Sequence, residues 1–194
     1  MMRTLEEKGC VLCEPTVAPA NEKKFIAKDL YNPCVALKID DEVVPNDISF
    51  DENVSIYVLT GPNRGGKSVI TCAIGLAQAM LQLGMFVPAK SAEISPADAI
   101  FTHFPTGSED TIDKGRLGEE CARLTNIFEN ITDKSLVLLD ESLSSTGSYE
   151  ASYIAAEVLA GLARFGCRCL FSTHLHELAA EIDRINARTE AEGG

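Results

Sequence analysis

The octapeptide Gly61-Pro-Asn-Arg-Gly-Gly-Lys67-Ser68 constrains this chain more than any other stretch. It satisfies G-x-x-x-x-G-K-[ST]. Directly before it runs Ser55-Ile-Tyr-Val-Leu-Thr60, an apolar segment that fits a strand buried on both faces. Directly after it, residues 69–83 are small and aliphatic almost all round, which reads as a largely buried helix. A strand–loop–helix unit accommodates that order. Glycines at 61, 65 and 66 let the backbone curl, so that successive N–H groups converge on an anion at a helix N-terminus. Lys67 adds a point charge for the β- and γ-phosphates of a nucleotide, and the Ser68 hydroxyl suits a Mg²⁺ ligand. The candidate nucleotide contacts are Gly61, Pro62, Asn63, Arg64, Gly65, Gly66, Lys67, Ser68 and Val69.

The rest of the pattern agrees with that unit. Short alternating runs at 25–30, 35–39 and 48–50, broken by Asn32-Pro33, Asp40-Asp41 and Pro45-Asn46, predict a small N-terminal antiparallel β layer of hairpins. Gly84 is placed to end the helix after the loop. Further strands are expected at 91–94, 99–104, 135–139 and 168–172. Helices are expected at 117–131, 148–165 and 175–185, with a polar loop at 106–114. The alternation predicts an α/β fold of P-loop NTPase type, a mostly parallel sheet flanked by helices. With 194 residues, about one domain is expected: a loosely ordered leader at 1–22, the P-loop domain at 23–187 and a loose tail at 188–194. The abrupt start and the Glu-Ala-Glu-Gly-Gly end fit a segment excised from a longer protein.

Two further strand ends carry chemistry. Leu136-Val-Leu-Leu-Asp140-Glu141 is an apolar strand closing on two carboxylates, which emerge beside the phosphate loop. Asp140 is the candidate second Mg²⁺ ligand with Ser68, and Glu141 the candidate residue that orients or deprotonates a water attacking the γ-phosphate. Adjacent acids favour water over a second substrate as acceptor, hence an ATPase using ATP and Mg²⁺. Leu170-Phe-Ser-Thr173-His174 ends in a histidine placed to bond the γ-phosphate or the lytic water. His176 follows in an H-x-H spacing, but no third ligand accompanies it.

The balance of 17 basic and 29 acidic residues, net −12, disfavours a direct grip on nucleic acid. Seven cysteines without a secretory signal read as reduced thiols of a cytoplasmic protein. Cys10 and Cys13 have the spacing of a redox or zinc pair, yet no second pair follows. No apolar run is long enough to span a membrane.

These motifs resemble the ATPase domain of the MutS DNA mismatch-repair family, over about residues 25–178. Val44-Pro-Asn46-Asp47-Ile48 ahead of Thr60-Gly-Pro-Asn63-x-Gly-Gly-Lys67-Ser68 is similar to the family's adenine-contacting segment and phosphate loop. Phe86-Val-Pro-Ala89 and Asp98-Ala-Ile-Phe101-Thr102 look like its next two strands. Ser135-Leu-Val-Leu-Leu-Asp140-Glu141, Thr146 and Ser172-Thr-His174-x-x-Glu177-Leu178 look like the Walker B strand, the following loop and the switch histidine. The resemblance implies a homodimer whose ATPase faces meet, each site completed by the partner. It implies ATP turnover that drives movement on DNA held by other domains, outside this chain, and no membrane role.

Three departures stand out. The family's Ser-Thr-Phe partner-facing motif is replaced by Gly115-Arg-Leu-Gly118-Glu-Glu120, whose helix start can still aim N–H groups at a partner's phosphate. Arg116 is there either a catalytic finger acting in trans or a solvated helix-start charge. The loop after Glu141 lacks Gly-Arg-Gly. The adenine-facing aromatic becomes Val43, beside Val44, so that apolar contact replaces stacking. Alternatives from other classes are a nucleotide-gated interaction module with negligible hydrolysis and an ABC-type ATPase acting in transport or on ribosomes.

Overall fold

The structure, a computed structural model, describes residues 2–105, 113–143 and 147–191. The chain divides into two compact units, Met1–Val54 with Ser68–Asp98, and Ser55–Lys67 with Ala99–Gly194. The stretch 23–187 contributes to both units.

In the first unit, residues 2–22 carry regular structure where a loose leader was expected. They form α1 (Met2–Glu7), β1 (Thr16–Val17) and a 3-10 turn at Ala20–Glu22. These pieces are too short to show a period, and tertiary partners hold them. Leu5 is fully buried in a cluster with Tyr31 and Ala36, and β1 pairs with residues 93–94. β2 (Phe25–Leu30) pairs antiparallel with both β3 (Asn46–Phe50) and the later strand at Ser91–Ile94, giving the order β1, Ser91–Ile94, β2, β3. Because β1 runs parallel to Ser91–Ile94, the layer is mixed rather than antiparallel.

The strand expected at 35–39 is instead a helix, α2 (Pro33–Lys38), lying between β2 and β3 in place of a hairpin turn. Asn32-Pro33, read in sequence as a break, starts it: Asn32 Oδ1 accepts from Cys34 N and Val35 N, and Pro33 occupies the first turn. Asn32 Nδ2 also donates to Val69 O, at 3.1 Å.

The second unit begins with β4 (Ile56–Thr60) and the glycine loop up to Lys67; α3 (Lys67–Gln82) belongs to the first unit from Ser68 onward. Past the end of α3, Gly84 has φ +68 and donates to Leu81 O, while Met85 N bonds Met80 O. Residues 86–89 form no strand; Val87 makes one isolated bridge to Cys13. Ser91–Ile94, henceforth β5, belongs to the mixed sheet. The remaining elements of the second unit are β6 (Ile100–His103), α4 (Asp113–Asn130), β7 (Leu136–Asp140), α5 (Ser148–Phe165), β8 (Arg168–Thr173) and α6 (His176–Ala191). α6 thus runs through residues 188–191, expected as loose tail.

The second sheet is wholly parallel, in the order β4-β8-β7-β6. β7 and β8 are buried at every position. β4, expected to be buried on both faces, is half-buried along its length because it is the edge strand. The unit's core gathers Leu139, Leu143, Leu159, Phe171 and Leu178, among others. Thr60 lies opposite Thr173, and Ser172 opposite Asp140, so the carboxyl ends of β4, β8 and β7 line up. Among the described residues, no helix is long and apolar enough to cross a membrane.

Asn32 is 5% exposed and caps α2 with its side chain. Asn32→Ala is expected to lower unfolding stability by about 1–2 kcal/mol, toward the upper figure because the bond to Val69 is lost with the cap. An unchanged urea midpoint would contradict this.

Candidate nucleotide site

The glycine loop is built from backbone that ordinary residues resist. Arg64 has φ +64 and Gly66 φ +84, and Gly65 N donates to Pro62 O at 3.1 Å. A Cβ added at Gly65 would stand 3.0 Å from Pro62 O, so the turn leaves little room for a side chain there. Lys67, the first residue of α3, is 7% exposed. Its ammonium donates to Gly61 O at 2.9 Å and Pro62 O at 3.0 Å, and lies 3.2 Å from Glu141 Oε1.

Glu141 arrives there through an unusual step of the chain. Directly after β7 it takes φ +49, and its N–H donates to Ser172 O at 2.8 Å. Its second carboxylate oxygen, Oε2, is 2.5 Å from His174 Nδ1. An ionised carboxylate only accepts, so His174 carries its proton on Nδ1 in this contact. Burial pushes the Glu141 carboxyl up, but the hydrogen bonds from His174 and Lys67 outweigh it, and its pKa lies below the ordinary glutamate range. Asp140, 3% exposed, accepts from the Ser172 hydroxyl on the neighbouring strand.

Lys67, Glu141 and His174, separated by up to about a hundred residues, thus touch in one chain of contacts, with Asp140 adjacent to Glu141. Ser68 and Val69, both exposed, open α3 within the first unit. In that unit too, Val43 is half-buried against the Leu5–Tyr31–Ala36 cluster and lines a cavity of about 730 Å³ with Cys10, Tyr31 and Ile39, while Val44 is 78% exposed. Gly115 and Gly118 lie exposed in the opening turns of α4, whereas Glu120 is buried. The Arg116 and His176 side chains, Thr146 and, of the loop expected at 106–114, residues 106–112 lie outside the described residues, while residues 113–114 already belong to α4. Among the described residues, no group of three or more His, Cys, Asp or Glu has metal-holding geometry, and Cys10 and Cys13 are free thiols.

One residue escaped sequence reasoning. His103, at the end of β6, is 3% exposed, and its Nδ1 lies 2.6 Å from Ser142 Oγ, directly after Glu141. Burial and the nearby Arg123 hold its pKa below the usual histidine value, against a smaller opposing pull from Glu120. No local pattern signals it, since the partner is 39 positions away.

Residues 57–192 match the family model for MutS domain V. The chain is 38% identical over 173 residues to the DNA mismatch repair protein MutS of Prochlorococcus marinus (strain AS9601), covering 85% of this chain and 19% of that protein. It is 38% identical over 180 residues to the protein of the same name from Synechococcus sp. (strain CC9605), covering 89% and 20%. With the MutS of Roseiflexus castenholzii it shares 39% identity over 153 residues, covering 76% and 14%. The chain spans about a fifth or less of the length of these curated relatives. It belongs to the MutS family.

The opposed influences on Glu141 make a titration prediction. Lys67→Ala removes one of its two compensating partners and leaves the burial, so the Glu141 pKa is expected to rise, readable by NMR of its carboxyl carbon. In the unchanged protein the depressed pKa contributes stability above the ordinary value of about 4.3, lost as pH falls through the folded value. The destabilisation caused by Lys67→Ala should therefore shrink in acid. A Glu141 pKa that stays put would show that Lys67 does not stabilise the carboxylate.

Proposed function

We propose that this chain is the ATP-binding and ATP-hydrolysing P-loop domain of a MutS-like mismatch-repair or DNA-processing protein. The observation that carries the reading is the contact chain from Lys67 through Glu141 to His174, assembled beside a tight glycine loop at one end of a parallel sheet. Family membership favours this reading over an ABC-type ATPase of transport or ribosomes.

Gly61 through Val69 wrap the phosphates, with Lys67 on the β- and γ-phosphates. Glu141 orients and deprotonates the attacking water. His174 steers the Glu141 carboxylate through Nδ1 and stands at the strand end where the γ-phosphate leaves. The donor set suits Mg²⁺: Ser68 and Asp140 offer hard oxygens, and magnesium is commonly held by only one or two protein oxygens and several waters. When bound, such an ion would supply charge neutralisation to the phosphates.

The glycines of α4 support a partner-facing role. A Cβ at Gly115 or Gly118 would meet nothing within 4 Å, so no contact among the described residues calls for glycine there. Glycine inside a helix costs about 1 kcal/mol relative to alanine, and a partner's phosphate approaching the backbone would account for that cost. In this reading the segment Gly115–Glu120, whose Glu120 side chain is buried, completes the site of a second copy, with Arg116 as its cation. DNA is held by segments outside this chain, consistent with its net charge of −12.

Two substitutions test the core of this reading. Glu141→Gln is expected to keep ATP affinity and lower turnover at least about tenfold; unchanged turnover would remove Glu141 from the mechanism. Lys67→Ala is expected to weaken ATP binding, and equal affinity by calorimetry would contradict the loop assignment. Turnover per chain should rise with protein concentration as dimers form. Nucleotide-dependent dimers without phosphate release would favour the interaction module.

A further inference from the structure

Behind the acidic pair lies a second buried pair that the proposed chemistry does not use. His103 closes β6, whose last register partner on β7 is Leu139. Its Nδ1 meets Ser142 Oγ at 2.6 Å, both side chains being at most 3% exposed. Its other ring nitrogen, Nε2, is buried without a hydrogen-bond partner among the described residues. A leucine or phenylalanine would fill that space with no orphaned polar atom. The imidazole is therefore explained by what Nδ1 does.

What Nδ1 holds is a strained turn. Ser142 sits between two non-glycine residues in the left-handed region, Glu141 at φ +49 and Leu143 at φ +67. Such conformations persist only where surrounding structure over-determines them. Three anchors do so here. The Glu141 N–H is bonded to Ser172 O, the Leu143 side chain is fully buried in the core, and Ser142 is bonded to His103. The first two fix the ends of the turn, and the third fixes its middle.

We propose that His103 is a positioning residue for Glu141, acting through Ser142 to lock the turn that sets the Glu141 carboxylate between Lys67 and His174. The inference rests on the reading of Glu141 as the group that orients water. His103 contacts the turn at Ser142. Its removal lets the carboxylate wander, which slows the chemical step and leaves nucleotide binding in place.

The test is a mutant cycle read by steady-state ATP hydrolysis, ATP affinity and thermal stability of the protein. His103→Leu and Ser142→Ala are each expected to lower kcat about three- to tenfold, with KM for ATP within about twofold of the original, and the double variant to be no slower than the slower single. His103→Asn, whose side-chain amide reaches the place of Nδ1, should recover most of the lost kcat. A purely packing role would lower stability alike in the Leu and Asn variants and show no such recovery. If His103→Leu fails to fold, Ser142→Ala and His103→Asn carry the comparison. Unchanged kcat in Ser142→Ala, additive losses, or an Asn variant no better than Leu would overturn the assignment. Glu141→Gln run in parallel separates the levels: if it too turns over normally, the reading of Glu141 falls, and if it alone is slow, only the role of His103 falls.

Discussion

One carboxylate, that of Glu141, ties together the ends of the second unit's strands. Its two oxygens engage different segments, Oε1 toward Lys67 after β4 and Oε2 toward His174 after β8. Each partner alone would leave a partly buried charge half-satisfied, an arrangement that is costly in a low-dielectric setting. Together they hold the group ionised against its burial. Strand order makes this convergence available. β8 lies between β4 and β7, so a side chain leaving β7 meets the loop after β4 across the end of β8. A regular continuation of β7 would carry Glu141 past that point, and the left-handed step at residue 141 turns it back.

The parts of this arrangement that were legible in the sequence are those whose chemistry is written in a few consecutive residues. The glycine loop, the acidic pair and His174 each follow directly from an apolar run, and a buried strand must deliver such residues at its end. α5 was equally plain, since its apolar positions are dense and Gly166 in the left-handed region closes it. Less legible were features decided by distant partners. Nothing near Leu5 or Thr16 says that the first unit's cluster and β5 will recruit them. Asn32-Pro33 was ambiguous for a local reason, because the same two residues suit a turn or a helix start. A network including Asn32's second bond, to Val69, belongs to the second outcome. His103 was invisible because a lone histidine at a strand end carries no pattern until its serine is placed beside it.

The chain's acidity and its short span relative to the curated relatives bear on each other. A chain of net −12 makes a poor surface for phosphodiester backbones, and it spans only about a fifth of proteins whose name places them in DNA mismatch repair. In the proposed reading the chain would hold a nucleotide rather than a duplex, and that nucleotide's charge would be met locally by loop amides, Lys67 and a metal ion. Long-range charge and local charge thus serve separate ends, which a sequence average of the whole chain cannot display.

The contacts of Lys67 carry one more consequence for the proposed reading. An ammonium has three donors, and Gly61 O, Pro62 O and Glu141 Oε1 all lie within reach of it. A phosphate oxygen entering this loop must compete with one of them. Gly61 O and Pro62 O are backbone groups, the second also accepting the Gly65 N–H, whereas Glu141 is held through a side chain. In the proposed reading the carboxylate would be the partner that yields. Once released from Lys67, it keeps only His174, and an acid that has lost a cationic neighbour while remaining partly buried becomes a stronger base. Binding of the triphosphate and activation of Glu141 for a water molecule would then be two faces of a single exchange at the Lys67 ammonium.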